Sequence, residues 1–326
     1  MRALLVPSYD GPSGTVLADD VPEPEGAHPW ARGERLVVEV HAAAVAFPDV
    51  LQSKGLYQHG LEPPFATGGE FAGVVLEAPA DSRFEPGDRV AGMSVWGAVA
   101  DRVLAIPRYT LKIPDHMSWT QGAAYFLNYS TAWFTLHRGG FRDGEATLVN
   151  GAAGGVGTAT LDLLRGRSRP SIALVSTEEK ADVARKSGAD HVVLSSSEWR
   201  KEVLALTDGR GVDMVSDIVG GDGFVDALCC LDVGGRLMVV GFTGGIPTVA
   251  ANRLLLRDLS VIGVSLEPWE QRFPGKVAEC VEALETLARE KRVDPFIGRV
   301  LPFDHAGEAL EIIDRREALG KVVVEL

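Results

Sequence analysis

With 326 residues, 46% of them hydrophobic and 24% charged, the chain is long enough for two ordinary globular domains and needs no disordered tail. Its 45 acidic and 32 basic residues leave a net charge of −13, which counts against the basic face that nucleic acid or an anionic membrane selects. No apolar run reaches the roughly 18 residues of a membrane helix, and proline and aspartate break the N-terminal MRALLVPSYDGPSG too early for a signal peptide.

The first third is rich in valine, alanine, proline and glycine. ERLVVEVHAAAV (34–45) begins with strand-like alternation, and EFAGVVLEAP followed by EPGDRVAGM reads as strand, turn and strand. A compact β-rich unit ending near Pro114 is expected. Residues 116–140, HMSWTQGAAYFLNYSTAWFTLHRGG, carry a helical period closed by Gly139-Gly140. Strand and helix signals then alternate through ATLVNG (146–151), GVGTATLDLLRGR, SIALVS (171–176), TEEKADVARKSG, DHVVLS, VDMVSDIVG (212–220) and GRLMVVGF (235–242). At this spacing the alternation predicts right-handed crossovers and a doubly wound parallel α/β sheet over 122–265. DALCCLDVGG reads as a buried helix. The tail gives an amphipathic helix, GKVAECVEALETLARE, and then a strand, a helix and a final short strand. The three cysteines, Cys229, Cys230 and Cys280, show no spaced framework and suit a reducing, cytoplasmic setting.

NGAAGGVGTATLDLL (150–164) lies where a dinucleotide loop belongs, after one strand and before a helix and a second strand. Such a loop needs glycines for a tight turn, for backbone approach to a pyrophosphate and for close helix–strand contact. The three positions fall on Ala152, Gly154 and Gly157, so alanine replaces the first glycine. The helix N-terminus would offer free N–H groups to the phosphates. At the end of the second strand, where an NAD-preferring site places a carboxylate, stand Ser176 and, four residues on, Lys180. A hydroxyl and a cation suit a 2′-phosphate, so NADPH is the expected cofactor, although Glu178 and Glu179 lie close.

FPDVLQSKGLYQ (47–58), PPFATGGEFAGVV, GAAGGVG, STEEKADVARKSGADHVV, GRGVDMVSDIVGG, LLLRDLSVIGVSL and DRREALGKVVVEL occur in that order along the chain. Together they resemble the medium-chain dehydrogenase/reductase superfamily, in its zinc-independent quinone oxidoreductase (zeta-crystallin-like) branch. The resemblance implies a GroES-like catalytic domain over 1–121, completed by 266–326, and a Rossmann NADPH-binding domain over 122–265. It implies hydride transfer to a small-molecule quinone or related α,β-unsaturated carbonyl. Carried over residue by residue, Ala153, Gly154, Gly155, Val156 and Gly157 would hold the pyrophosphate. Ser176, Lys180 and Arg316 would hold the adenosine phosphate, and Thr131 would lie beside the nicotinamide. Val219, Gly241, Phe242, Thr243, Val264 and Ser265 would line the cofactor from the later strand ends. A homodimer through the edge strand in RDLSVIGVSL (257–266) is also implied. Two positions depart from the pattern: Ala46 stands where many relatives have an asparagine, and Ser195 where many have a tyrosine.

Catalytic zinc needs about three converging ligands. Gly69 occupies the place of the histidine that zinc-containing relatives use, and no cysteine precedes Cys229, so no metal is expected. Glu70, beside it, needs partners if buried. Hydride delivery builds negative charge on the acceptor oxygen, which a hydroxyl or amide can stabilise. By motif position the nearest polar candidates are Tyr57, Asn128 and Tyr129, each with plain packing as its competing role. His28, His41, His59, His116, His137, His191 and His305 show no catalytic pairing. A 2-enoyl thioester or alkenal reductase would share this fold and cofactor site, as would a non-catalytic NADPH-binding protein.

Overall fold

The computed structural model describes residues 1–58 and 61–326. The chain divides into two compact units, 1–127 with 277–326 and 128–276. The first junction lies a few residues beyond 121 and the second beyond 265. The helical stretch expected over 116–140 is two helices, Trp119–Ala123 and Phe126–Arg138. Ser118 starts the first with a capping box to Gln121, and the junction falls within the second.

The first unit is built on a sheet ordered Ile297–Pro302, Lys321–Glu325, Leu36–Val45, Glu70–Glu77, Arg89–Met93 and Thr110–Lys112. The last strand of the chain thus sits beside the long central one, running antiparallel to it. The alternation that opens Leu36–Val45 gives way to Ala42, Ala43 and Ala44, all fully buried, because the helix Trp119–Ala123 covers this strand as well. Val38, Phe71, Leu310 and Val324 share one apolar core. Each such side chain contributes about 1.5–3 kcal/mol on burial.

The second unit carries six parallel strands in the order His191–Leu194, Ser171–Val175, Thr147–Asn150, Val212–Asp217, Leu231–Val239 and Ser260–Gly263. The chain starts in the middle, winds outward to one side, then returns to wind outward on the other. The crevice between Thr147–Asn150 and Val212–Asp217 is therefore the topological switch point, where open α/β sheets bind ligands. Leu231–Val239 begins four residues before the expected 235 and ends before 242. Its register shifts through a bulge between the pairs Val212–Leu231 and Met214–Arg236. Gly234, with φ 75°, supplies a left-handed turn within the bulge, so that Leu231 still pairs with Val212 before the ladder resumes at Arg236. Cys229 ends the short helix Phe224–Cys229, and Cys230 caps it. Among the described residues no helix is long and apolar enough to cross a membrane.

Candidate functional site

The strand Thr147–Asn150 leads into the glycine loop, where the Gly151 and Ala152 N–H groups donate to Leu174 O at 3.3 and 3.4 Å. The loop is thereby tied to the neighbouring strand. Gly154, in extended backbone at φ −85°, opens the helix Gly155–Leu164, and no side chain caps that end. The glycines have separate jobs. A Cβ on Gly157 would stand 2.3 Å from Gly151 O, so this glycine is needed for helix–strand contact. A Cβ on Gly154 would meet only Gly151 O, at an ordinary 3.6 Å. The fold leaves that position open, as a cradle for an anion requires. A Cβ on Gly155 would lie 2.7 Å from the carboxamide nitrogen of Asn128, which places Asn128 against the loop. Val219 reaches the loop from the far side of the switch point, with Cγ2 3.0 Å from the Cβ position of Gly151. Ala153 and Gly157 are buried, whereas Val156 is half-buried.

At the end of the next strand, the Lys180 ammonium donates to Ser176 Oγ at 3.1 Å. Thr177 Oγ1 caps the helix Glu178–Lys186 by accepting from the Lys180 N–H, which fixes where that side chain starts. Glu178 faces Arg185, at 3.8 Å. Among the described residues no carboxylate forms an ion pair with Lys180. The Ser195 N–H donates to Val175 O at 2.8 Å, so the serine found in place of tyrosine stands beside this strand end.

The later strand ends meet in a second feature. Phe242, Val264 and Ser265 line a pocket of about 460 Å³ whose other wall includes Trp269, Arg272 and Phe273. Gly241 N–H donates to Asp217 O and Thr243 N–H to Ile218 O, which folds the 241–243 turn back over the sheet edge. Thr131 is half-buried in the helix Phe126–Arg138, and its carbonyl accepts from Thr135 Oγ1 at 2.7 Å.

Two polar residues at the switch point escaped the motif reading. Asn150 Nδ2 donates to Asp217 Oδ1 at 2.8 Å, and the same oxygen accepts from the Val219 and Gly220 N–H groups. Asp217 is buried with Oδ2 unpartnered, and burial raises its carboxyl above the ordinary range. The available signal was a carboxamide or carboxylate at the last position of each strand, in TLVN and VDMVSD.

Tyr129 requires a correction. It is fully buried, and its hydroxyl donates to Asp162 at 2.7 Å, while Asp162 also accepts from Arg165. That proton ties two helices together rather than standing ready for an acceptor. Tyr57 and Arg316 belong to the first unit. Tyr57 is half-buried, and burial followed by the Asp49 charge raises its phenol. Arg316 sits in left-handed backbone at φ 60°, just beyond the helix Ala306–Asp314.

Glu70 finds the partners that a buried carboxylate needs in the Lys321 ammonium and the Leu127 N–H. Asp49 lies in the same buried group. Its Oδ2 accepts from the Ala46 N–H at 2.7 Å, its Oδ1 has no partner, and burial pushes its carboxyl up to about 7. A Cβ on Gly69 would come 3.3 Å from that free oxygen. Among the described residues no three histidine, cysteine or carboxylate side chains gather to hold a metal ion. His28 is buried against Trp96, and burial lowers it to about 4. His59 lies outside the described residues.

Residues 32–115 match the family described as Alcohol dehydrogenase GroES-like domain, and residues 155–283 match that described as Zinc-binding dehydrogenase. Bovine (Bos taurus) quinone oxidoreductase-like protein 2 is 35% identical over 95% of this chain and 89% of its own length. A probable oxidoreductase from Mycobacterium abscessus superposes with a TM-score of 0.89 at 36% identity, covering 100% of this chain and 99% of that one. The mycobacterial protein Rv1454c, solved in complex with NADPH, gives 0.88 at 29% identity with both chains fully covered. The chain is an oxidoreductase of the medium-chain dehydrogenase/reductase superfamily and belongs to its quinone oxidoreductase-like family.

Proposed function

We propose that the protein is an NADPH-dependent reductase that transfers hydride, without a metal, to a quinone or a related α,β-unsaturated carbonyl compound. The observation that carries this reading is the uncapped helix start at Gly154, open to a ligand and set beside the switch point of the parallel sheet. The NADPH complex of Rv1454c supports the cofactor, and the name of the bovine relative supports the acceptor class.

When bound, NADPH supplies the hydride; the quinone takes up that hydride and one further proton, leaving hydroquinone and NADP⁺. The N–H groups of Gly155, Val156 and Gly157 would hold the pyrophosphate at the positive end of the helix dipole. Lys180 and Ser176 would hold the 2′-phosphate through a charge-assisted hydrogen bond and a neutral one. Val219, Gly241 to Thr243, Val264 and Ser265 would form an apolar wall that orients the ring and excludes water, and orientation supplies much of the rate. The missing metal ligand at Gly69 supports the zinc-free reading. Tyr57 and Asn128 are the polar candidates we carry forward for stabilising charge on the acceptor oxygen. A homodimer through the edge strand Ser260–Gly263 belongs to the same proposal.

The test is an NADPH-oxidation screen over quinones, enones, alkenals and enoyl thioesters. Turnover of quinones or enones is expected. Tight NADPH binding with no oxidation by any of them would overturn the reductase reading.

A further inference from the structure

The pocket beyond the strand ends has a built aromatic wall that the cofactor residues do not account for. Trp269, in the helix Leu266–Arg272, packs edge-on against Phe134 with ring centroids 6.0 Å apart. The Arg138 guanidinium covers the same indole, 4.7 Å from its centroid. Phe273 lies 5.0 Å from Trp269, and the Arg272 guanidinium sits 4.9 Å over the Phe273 ring. Trp269 is therefore held on more than one side, and Arg272 is held over a ring.

Two features mark this wall as a ligand surface. Phe273, which the cofactor reading leaves unassigned, remains about half exposed at 49% on the pocket wall. Arg272 is exposed and, among the described residues, pairs with no carboxylate. An apolar pocket of about 460 Å³ with one unpaired cation on its rim is the form that small-molecule sites take. The rings favour a flat aromatic partner through offset or edge-to-face stacking. The guanidinium favours an anion and can bind a carboxylate or sulfonate through two N–H groups.

We propose that this pocket selects a planar aromatic acceptor carrying an anionic group, with Trp269 and Phe273 receiving the ring and Arg272 receiving the charge. That the ligand is a hydride acceptor rests on the reductase reading; the preference for ring plus anion rests on the pocket alone.

Titration calorimetry of the full chain with two redox-inert probes, naphthalene-2-sulfonate and 2-naphthol, separates the two claims. The sulfonate should bind at least about tenfold more tightly, as a charge-assisted pair is worth about 1.4 kcal/mol or more. Arg272→Gln should remove that preference, and Arg272→Lys should restore part of it. Trp269→Leu should weaken both probes together. Equal affinity of the two probes, or a preference that survives Arg272→Gln, would overturn the proposal. In turnover, the ratio of kcat/KM for 1,2-naphthoquinone-4-sulfonate to that for 1,2-naphthoquinone should fall about tenfold in Arg272→Gln. An unchanged ratio would also overturn it. If the binding preference holds but neither quinone is reduced, the ligand class stands and the reductase reading fails.

Discussion

Asn150 and Asp217 close the two central strands of the parallel sheet side by side, joined by a 2.8 Å hydrogen bond from amide to carboxylate. Asp217 Oδ1 also anchors the Val219 and Gly220 N–H groups, so a single oxygen organises the turn that crosses the switch point. Asp217→Ala would strand three donors at once and should cost about 2–4 kcal/mol of stability. Asp217→Asn keeps an acceptor at Oδ1 and should cost less. Denaturant midpoints for the two variants check this, and an alanine variant as stable as the parent would show that the oxygen organises nothing.

Asp49 predicts a pH dependence with a definite sign. Its carboxyl titrates near 7 in the folded protein because it is buried with only one hydrogen bond, against 3.8 when unfolded. The Lys321 charge facing it opposes the shift, and Glu70 adds to it. Between these values the folded state holds a proton that the unfolded chain has released, so this group's contribution to stability falls as pH rises from about 4 to about 7. Asp49→Asn should remove that slope. Melting curves at pH 5 and pH 8 measure it; the variant should gain on the parent at the higher pH, and equal shifts at both would contradict the assignment.

These two residues also show where sequence reasoning stops. The alternation of strand and helix signals and the order of the motifs were enough to read the doubly wound sheet, because short apolar strands punctuated by glycine have few other solutions. Gly154 and Gly157 were legible as a loop, but their different jobs were not. Which of them has a backbone oxygen 2.3 Å from its missing Cβ depends on how closely the helix and strand approach. Asn150, Asp217 and Asp49 carry no motif spacing of their own; their importance comes from burial beside partners distant in sequence. Tyr129 misled for the same reason, since nothing local in NYSTAW reveals that Asp162 takes its proton. The strand start at Leu231 was hidden by a glycine pair that reads as a turn and acts as a bulge.

The 3.1 Å bond from Lys180 to Ser176 holds a cation and a hydroxyl together at the end of the second strand, the pair proposed to hold the 2′-phosphate. Lys180→Glu replaces attraction by repulsion and should weaken NADPH by about ten- to a hundredfold, the worth of one charge-assisted contact. NADH, lacking that phosphate, should be affected far less. Dissociation constants for both cofactors decide the matter, and equal losses for the two would refute the assignment.

Gly154 and Gly157 make a matched pair for separating cofactor binding from folding. Valine fits the extended backbone at 154, where its Cβ meets nothing closer than 3.6 Å. Gly154→Val should therefore melt close to the parent while losing NADPH and NADH alike, because its branches stand before the helix N–H groups. Gly157→Val forces a Cβ against Gly151 O and Ala152 and should cost about 1–3 kcal/mol or more in stability. A Gly154→Val protein that still binds NADPH tightly would place the pyrophosphate elsewhere.

The edge of the parallel sheet supplies the last prediction. Ser260–Gly263 pairs with Leu231–Val239 on one side and, among the described residues, has no strand on the other, leaving a row of backbone groups for a further strand. Val261 is partly exposed on it, and Leu255 and Leu256 just before it are 83% and 77% exposed. A second copy presenting the same strand would complete the ladder and cover these leucines, so the protein should run as a homodimer at micromolar concentration. Charges at exposed positions cost a folded monomer little, within about 0.5 kcal/mol, yet two facing copies would repel each other. Val261→Glu combined with Leu255→Glu should therefore give a folded monomer by light scattering with circular dichroism like that of the parent. A parent chain already monomeric at that concentration, or a double variant that stays dimeric, would show that this edge is not the contact.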